Sequence, residues 1–131
     1  MIVVDASALA EFLLAGTPRG ARIATRLQRP NETLHAPHLI DLEVASTMRS
    51  LEARGLATTL ANRTIAALVT VPMRRYPHDL LVPRIWQLRN NLTPYDASYV
   101  ALAESLGAPL VTCDARIASS PGHRAMIEVF A

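Results

Sequence analysis

There is no lysine in this chain: all 13 of its basic residues are arginine. With 11 acidic residues the formal charge is only +2. That is too small to argue for nucleic-acid binding by itself, although a guanidinium does grip phosphate through a bidentate fork. The missing lysine removes a response-regulator receiver, which needs one near the end of its sheet and paired acids after its first strand. Cysteine is almost absent too. Cys113 has no second thiol to pair with and no set of zinc ligands around it, so a reducing cytoplasm is the expected setting. The five glycines are scattered and form no phosphate-cradling turn, which excludes a dinucleotide-binding fingerprint. No uncharged apolar run approaches the roughly 18 residues of a membrane span. The opening Met1-Ile2-Val3-Val4-Asp5 lacks the basic flank of a secretory leader. The four histidines, His35, His38, His78 and His123, have no metal-ligand spacing and read as surface or rim residues.

What the chain does have is apolar content. Half of its 131 residues are hydrophobic, which suits one domain, residues 1–131, with a real core. Ile2-Val3-Val4 is a short continuous apolar run of the kind found in a buried parallel strand. Helices are expected over Ala6 to Leu14, stopped at Gly16, and over Pro18 to Gln28, with proline near the first position. Thr33 to Ala36 is a strand candidate. Leu39 to Arg54 is a long helix closed by Gly55, and Thr58 to Val69 continues helically. A strand is expected over Val71 to Arg75 and an amphipathic helix over His78 to Arg89, with Trp86 in the core. A helix from Thr93-Pro94 runs to Leu106 and stops at Gly107. Pro109 to Thr112 is a buried strand, a short helical turn follows Asp114, and Ile127 to Phe130 is the last strand. This alternation predicts an α/β sandwich with a mostly parallel sheet.

In open α/β sheets functional groups gather beyond the carboxyl ends of the strands. Asp5 directly follows the first strand and Asp114 the strand ending at Cys113, so both emerge on one edge if the strands are parallel. Each is equally well read as a helix N-cap. Asp96, with Thr93 as N-cap, is the third helical residue, where a capping role also fits. Glu43 is more telling. On its helix it neighbours Leu39, Ile40, Val44 and Thr47, the apolar side, and a glutamate there needs a partner. Asp41 points about 200° away at roughly 100° per residue and is expected to be free and dispensable. Carboxylates converging on one edge repel each other and raise their own pKa values unless a cation relieves them. Mg²⁺ and Mn²⁺ prefer such oxygen ligands. Ser7 and Thr112, two residues from Asp5 and Asp114, carry hydroxyls that could orient these acids from behind or could simply make turn hydrogen bonds.

Three segments together resemble a PIN domain, and within it a VapC-type toxin of a toxin–antitoxin pair. They are Ile2 to Leu9, Ala36 to Ala45, and Leu92 to Ala97 with its continuation Leu102 to Asp114; the likeness spans nearly the whole chain. The resemblance implies a PIN-like α/β/α sandwich with four to five strands. It implies an Mg²⁺- or Mn²⁺-dependent endoribonuclease, a hydrolase that cuts RNA and inhibits translation. The family's metal ligands fall on Asp5, Glu43, Asp96 and Asp114. It further implies a homodimer and a small cognate antitoxin that inserts a C-terminal segment into the site. Some family members carry a further acid after the last aspartate; here Arg116 and Ile117 stand there, which puts a second metal site in doubt. The competing reading is a catalytically silent PIN-like module that binds RNA or protein. A haloacid-dehalogenase-like phosphatase is excluded, since Asp5-Ala6-Ser7 lacks its second aspartate.

Overall fold

The computed structural model describes residues 1–131. Strand β1 (Ile2–Val4) leads into α1 (Ala6–Leu14) and α2 (Pro18–Leu27). Then come β2 (Leu34–Pro37), α3 (Ile40–Ala53), α4 (Thr58–Leu68) and β3 (Met73–Tyr76). The second half holds α5 (Val82–Gln87), α6 (Pro94–Leu106), β4 (Leu110–Thr112), α7 (Ala115–Ser119) and β5 (Ile127–Val129). Proline and glycine set many of these limits. Pro18 and Pro94 sit in first helical turns, behind N-caps Thr17 and Thr93 whose hydroxyl oxygens accept from Gly20 N and Asp96 N. Gly107 closes α6 in the left-handed conformation, at φ 62°.

All pairings in the five-stranded sheet are parallel, in the order β3-β2-β1-β4-β5. The chain builds outward from β1 through β2 to β3, then returns to the other side of β1 for β4 and β5. The order therefore reverses between β1 and β4, and the crevice beyond their carboxyl ends is where such sheets bind ligands. Side chains of β1 alternate between the two faces, yet Ile2, Val3 and Val4 are all fully buried, so both faces of the sheet centre are covered. Helix α6 lies against β1, β2 and β4, and is buried without a break from Ala97 to Ala103. Helix α1 packs on α2, α3 and α4. A single apolar cluster of 25 buried residues joins these elements.

Several expectations need correction. The helix expected over His78 to Arg89 is confined to Val82–Gln87. Pro83 has no N–H, and its ring bars a helical carbonyl four residues earlier, so the segment before it folds as turns. The strand near Val71 begins only at Met73, beyond Pro72. Trp86 is not core: it is 65% exposed, with the Arg89 guanidinium 4.5 Å above its ring, while Leu88 takes the inward position. His35 is not a rim residue but lies buried on β2, its ring nitrogens 2.8 Å from the Thr33 hydroxyl and 2.6 Å from that of Tyr76. No helix is long and apolar enough to cross a membrane.

Candidate active site

Asp5 leaves the carboxyl end of β1 and serves two purposes. It is the N-cap of α1, with its Oδ1 accepting from Ala8 N at 3.0 Å. It is also held from behind: the Ser7 hydroxyl donates to Oδ1 at 2.6 Å and the buried Thr112 hydroxyl to Oδ2. Ser7 additionally accepts from Cys113 N, and Thr112 from Asp114 N, so these two hydroxyls tie the ends of β1 and β4 together. Ser7 and Thr112 thus stand where the sequence placed them, behind the acids. Burial pushes the Asp5 pKa up, against the three hydrogen bonds that pull it down, and Asp96 adds to the rise.

Glu43 on α3 and Asp96 on α6 face Asp5 across a cleft of about 480 Å³, which Ser7 and Asp114 also line. Glu43 is half-buried and accepts a 2.6 Å bond from the Tyr99 hydroxyl. Burial raises its pKa, Tyr99 offsets part of that, and the charges of Asp96 and Asp5 raise it further. Asp96 is raised by burial and then by the charge of Asp114. Three of the four expected acids are therefore raised, each first by burial and then by the charge of a neighbouring carboxylate. Asp114 differs. Its carboxylate N-caps α7 and is gripped by the Arg116 guanidinium, 2.7 Å from Nη2 to Oδ2, which pulls its pKa down.

Asp41 is outside this cleft, on the other side of α3, as expected. It is not free, however: Arg75 on β3 holds both its oxygens at 2.8 and 2.9 Å. The sequence reading also passed over other lining groups. Tyr99 is three residues beyond Asp96 and Glu11 four beyond Ser7, so helical spacing alone puts each beside a recognised residue. Arg19, Ser46, Thr47 and Cys113 complete the polar wall. Ser46 and Thr47 follow Glu43 by three and four positions and Cys113 adjoins Asp114, so local spacing could have found them, whereas Arg19 reaches the cleft only because α2 packs on α1.

The donors are carboxylates with hydroxyls behind them and no thiolate or imidazole among them, a set suited to a hard divalent cation. In this conformation no three His, Cys, Asp or Glu side chains form a closed ligand group. Each acid has a partner within the chain: Arg116 for Asp114, Tyr99 for Glu43, and two hydroxyls for Asp5. An ion that keeps part of its water shell does not need three direct protein ligands, and Asp5, Glu43 and Asp96 line one cleft where a cation would favour their charged forms against the cost of burial. The residues fit such a group.

Residues 2–121 match the PIN domain family. This chain belongs to that family. Its VapC branch follows from a curated relative, Ribonuclease VapC12 of Mycobacterium tuberculosis, which is 45% identical over 132 residues covering the whole of both chains. In structure the PIN domain resembles VapC20 of Mycobacterium tuberculosis, a sarcin-ricin loop cleaving toxin, with a TM-score of 0.70 at 17% identity, covering 95% of this chain and 97% of that one. It also resembles a chain of the DNA-bound VapBC of Salmonella typhimurium, with a TM-score of 0.68 at 14% identity over the whole of both chains. At those identities the likeness is one of fold.

Proposed function

We propose that this VapC-type PIN domain is the endoribonuclease of a toxin–antitoxin pair, hydrolysing RNA phosphodiesters with Mg²⁺ or Mn²⁺ held by Asp5, Asp96, Asp114 and Glu43. The observation that carries the reading is the convergence of Asp5, Glu43 and Asp96 from β1, α3 and α6 on one cleft, with all three pKa values raised. When bound, the ion neutralises charge growing on the phosphodiester and acidifies water. The chain's own residues prepare for it. Ser7 and Thr112 fix the Asp5 carboxylate, and Tyr99 fixes that of Glu43, so that little ordering remains to be done. Asp114 would join the set once released by Arg116, which now holds its carboxylate.

Cleavage of total RNA by the purified protein in Mg²⁺ or Mn²⁺, and its loss in excess chelator, tests this. Binding to RNA with no cleavage under either ion would leave a silent binding module instead.

The partners follow the same reading. An antitoxin is supported by the relatives' toxin–antitoxin assemblies, and a cytoplasmic setting by the lone thiol. A homodimer is supported by a nearly apolar cleft of about 360 Å³ between α5 and the start of α6, lined by Leu39, Val82, Ile85, Trp86 and Tyr95. Leu80 and Leu42, both largely exposed, stand among the apolar residues left uncovered. Sedimentation showing only monomer at micromolar concentration would count against the dimer.

A further inference from the structure

We propose that Arg19 is the phosphate-binding residue of the acidic cleft, taking a backbone phosphate of the RNA beside the bond that is cut; this rests on the ribonuclease reading above. The cleft wall carries five carboxylates, Asp5, Glu11, Glu43, Asp96 and Asp114, and one cation, Arg19. A polyanion entering it is repelled from most sides. A divalent ion relieves that repulsion at the acid cluster, whereas the strand must also pass the wall formed by α1 and the start of α2. Arg19 is the fixed positive charge there.

Its present bonding leaves it free to act. One guanidinium nitrogen, Nη2, is 3.1 Å from Glu11 Oε2, and no other bond within the chain engages the group. The side chain is 40% exposed. Glu11 has a second partner besides Arg19, because its other oxygen accepts the Thr17 hydroxyl at 2.6 Å. A phosphate can therefore draw Arg19 away and leave Glu11 hydrogen-bonded. The pair is only partly exposed, at 40% for Arg19 and 17% for Glu11, so a single-nitrogen contact is given up in the exchange, whereas a guanidinium presents paired donors to phosphate.

The position is built rather than incidental. A Cβ on Gly20 would lie 3.0 Å from the Glu11 carbonyl oxygen and 3.0 Å from the Thr17 hydroxyl oxygen. Only glycine lets the first turn of α2 approach the end of α1 so closely, and that approach brings its neighbour Arg19 to the cleft. The Arg19 charge also reaches the Cys113 thiol, next in sequence to Asp114.

The rival explanation is a simple clasp between α1 and α2. The two differ in the behaviour of Arg19→Gln and Glu11→Gln, measured by binding of a fluorescein-labelled single-stranded oligouridylate in Ca²⁺ over a salt series. A phosphate contact predicts that Arg19→Gln weakens RNA binding roughly tenfold at low salt. It also lowers the slope of log affinity against log salt by about 0.7. Arg19→Lys recovers much of both, and Mn²⁺ affinity does not fall. Glu11→Gln, which releases Arg19, leaves RNA binding equal or tighter. In Mg²⁺, Arg19→Gln raises KM and spares kcat. Affinity and salt slope equal to the parent's overturn the proposal and leave Arg19 to a protein partner's carboxylate. Equal losses of melting temperature and RNA binding in Arg19→Gln and Glu11→Gln overturn it in favour of the clasp. If the parent cuts no RNA while the Arg19 effect on binding and slope persists, the ribonuclease reading fails and the phosphate contact stands.

Discussion

At the scale of single residues, the site sets stability against function. Asp96 sits between Asp114 and the Asp5–Glu43 pair, and the metal-free protein carries that repulsion. Asp96→Asn should cut RNA more than a hundredfold more slowly, since even residues that merely orient a metal ligand cost about 10–100-fold. The same variant should melt higher than the parent in chelator, because a repelling charge is gone. Cleavage at the parent rate would remove Asp96 from the site; an unchanged melting curve would remove the repulsion. Asp41 gives the opposite pattern. Asp41→Asn should leave cleavage intact and lower stability by about 0.5–1 kcal/mol, the range for a partly exposed pair such as that with Arg75. Denaturant titration beside an activity assay checks both halves. Neither the Arg75 partner nor the Arg116 grip on Asp114 was legible in the sequence. The first depends on the register of β3 against β2, and the second on the side-chain geometry of a single helical turn.

Between residues and fold stand the elements, and here legibility was uneven for physical reasons. Elements bounded by glycine and proline, such as α2, α3 and α6, could be read almost to the residue, because those two residue types restrict the backbone locally. Edge strand β3 (Met73-Arg74-Arg75-Tyr76) could not, since its pattern is not apolar and its pairing with β2 is what makes it a strand. His35 was misread for the same reason: its buried partner Tyr76 lies 41 positions away on that edge. Trp86 was misread because α5 is too short for periodicity to reveal its inner face. The acid set was legible because strand ends and helix faces are local properties; the wall that Arg19 supplies was not. The α1–α2 contact gives a direct test. Gly20→Ala should destabilise by about 1–3 kcal/mol, as overpacking does, since the neighbours its Cβ would meet include the Glu11 backbone oxygen. A melting temperature within a degree of the parent's would mean that the helices part at no cost.

For the whole molecule, charge determines the response to pH and to partners. Asp5, Glu43 and Asp96 have folded pKa values above their unfolded ones. Between the two, the native state holds more protons, so stability of the metal-free protein should fall as pH rises through that window. Glu11, lowered by Arg19 and Thr17, and Asp114, lowered by Arg116, act the other way. Their contribution is present above the ordinary carboxylate range and is lost as pH falls through their depressed values. His35, lowered chiefly by burial, also opposes the fall near neutrality, so chemical denaturation in chelator from roughly pH 4 to 7 should show the parent losing stability toward neutrality relative to Asp96→Asn, and saturating Mg²⁺ should shrink that difference. Equal pH slopes for parent and Asp96→Asn in chelator would contradict the raised value of Asp96. An antitoxin arginine inserted among these acids would compete with the cation, so antitoxin affinity should fall as Mg²⁺ rises at constant ionic strength. Equal dissociation constants by calorimetry at low and high Mg²⁺ would leave simple coverage of the cleft.

The pairing of β1 with β4 also governs when the molecule comes to exist. Thr112 lies 107 positions beyond the Asp5 carboxylate that it holds, and β4 is made only after β2, β3 and α6 have been synthesised. Until then the central strand has a neighbour on one side alone, and Asp5 lacks both its Thr112 support and the facing Asp114. Contacts this distant in sequence form late and slowly. Synthesis therefore delivers a chain without the assembled acidic cleft first and the complete cleft only once β4 has joined β1. Nascent chains halted before Leu110 should accordingly show neither the protease resistance of the full domain nor any capacity to cut RNA.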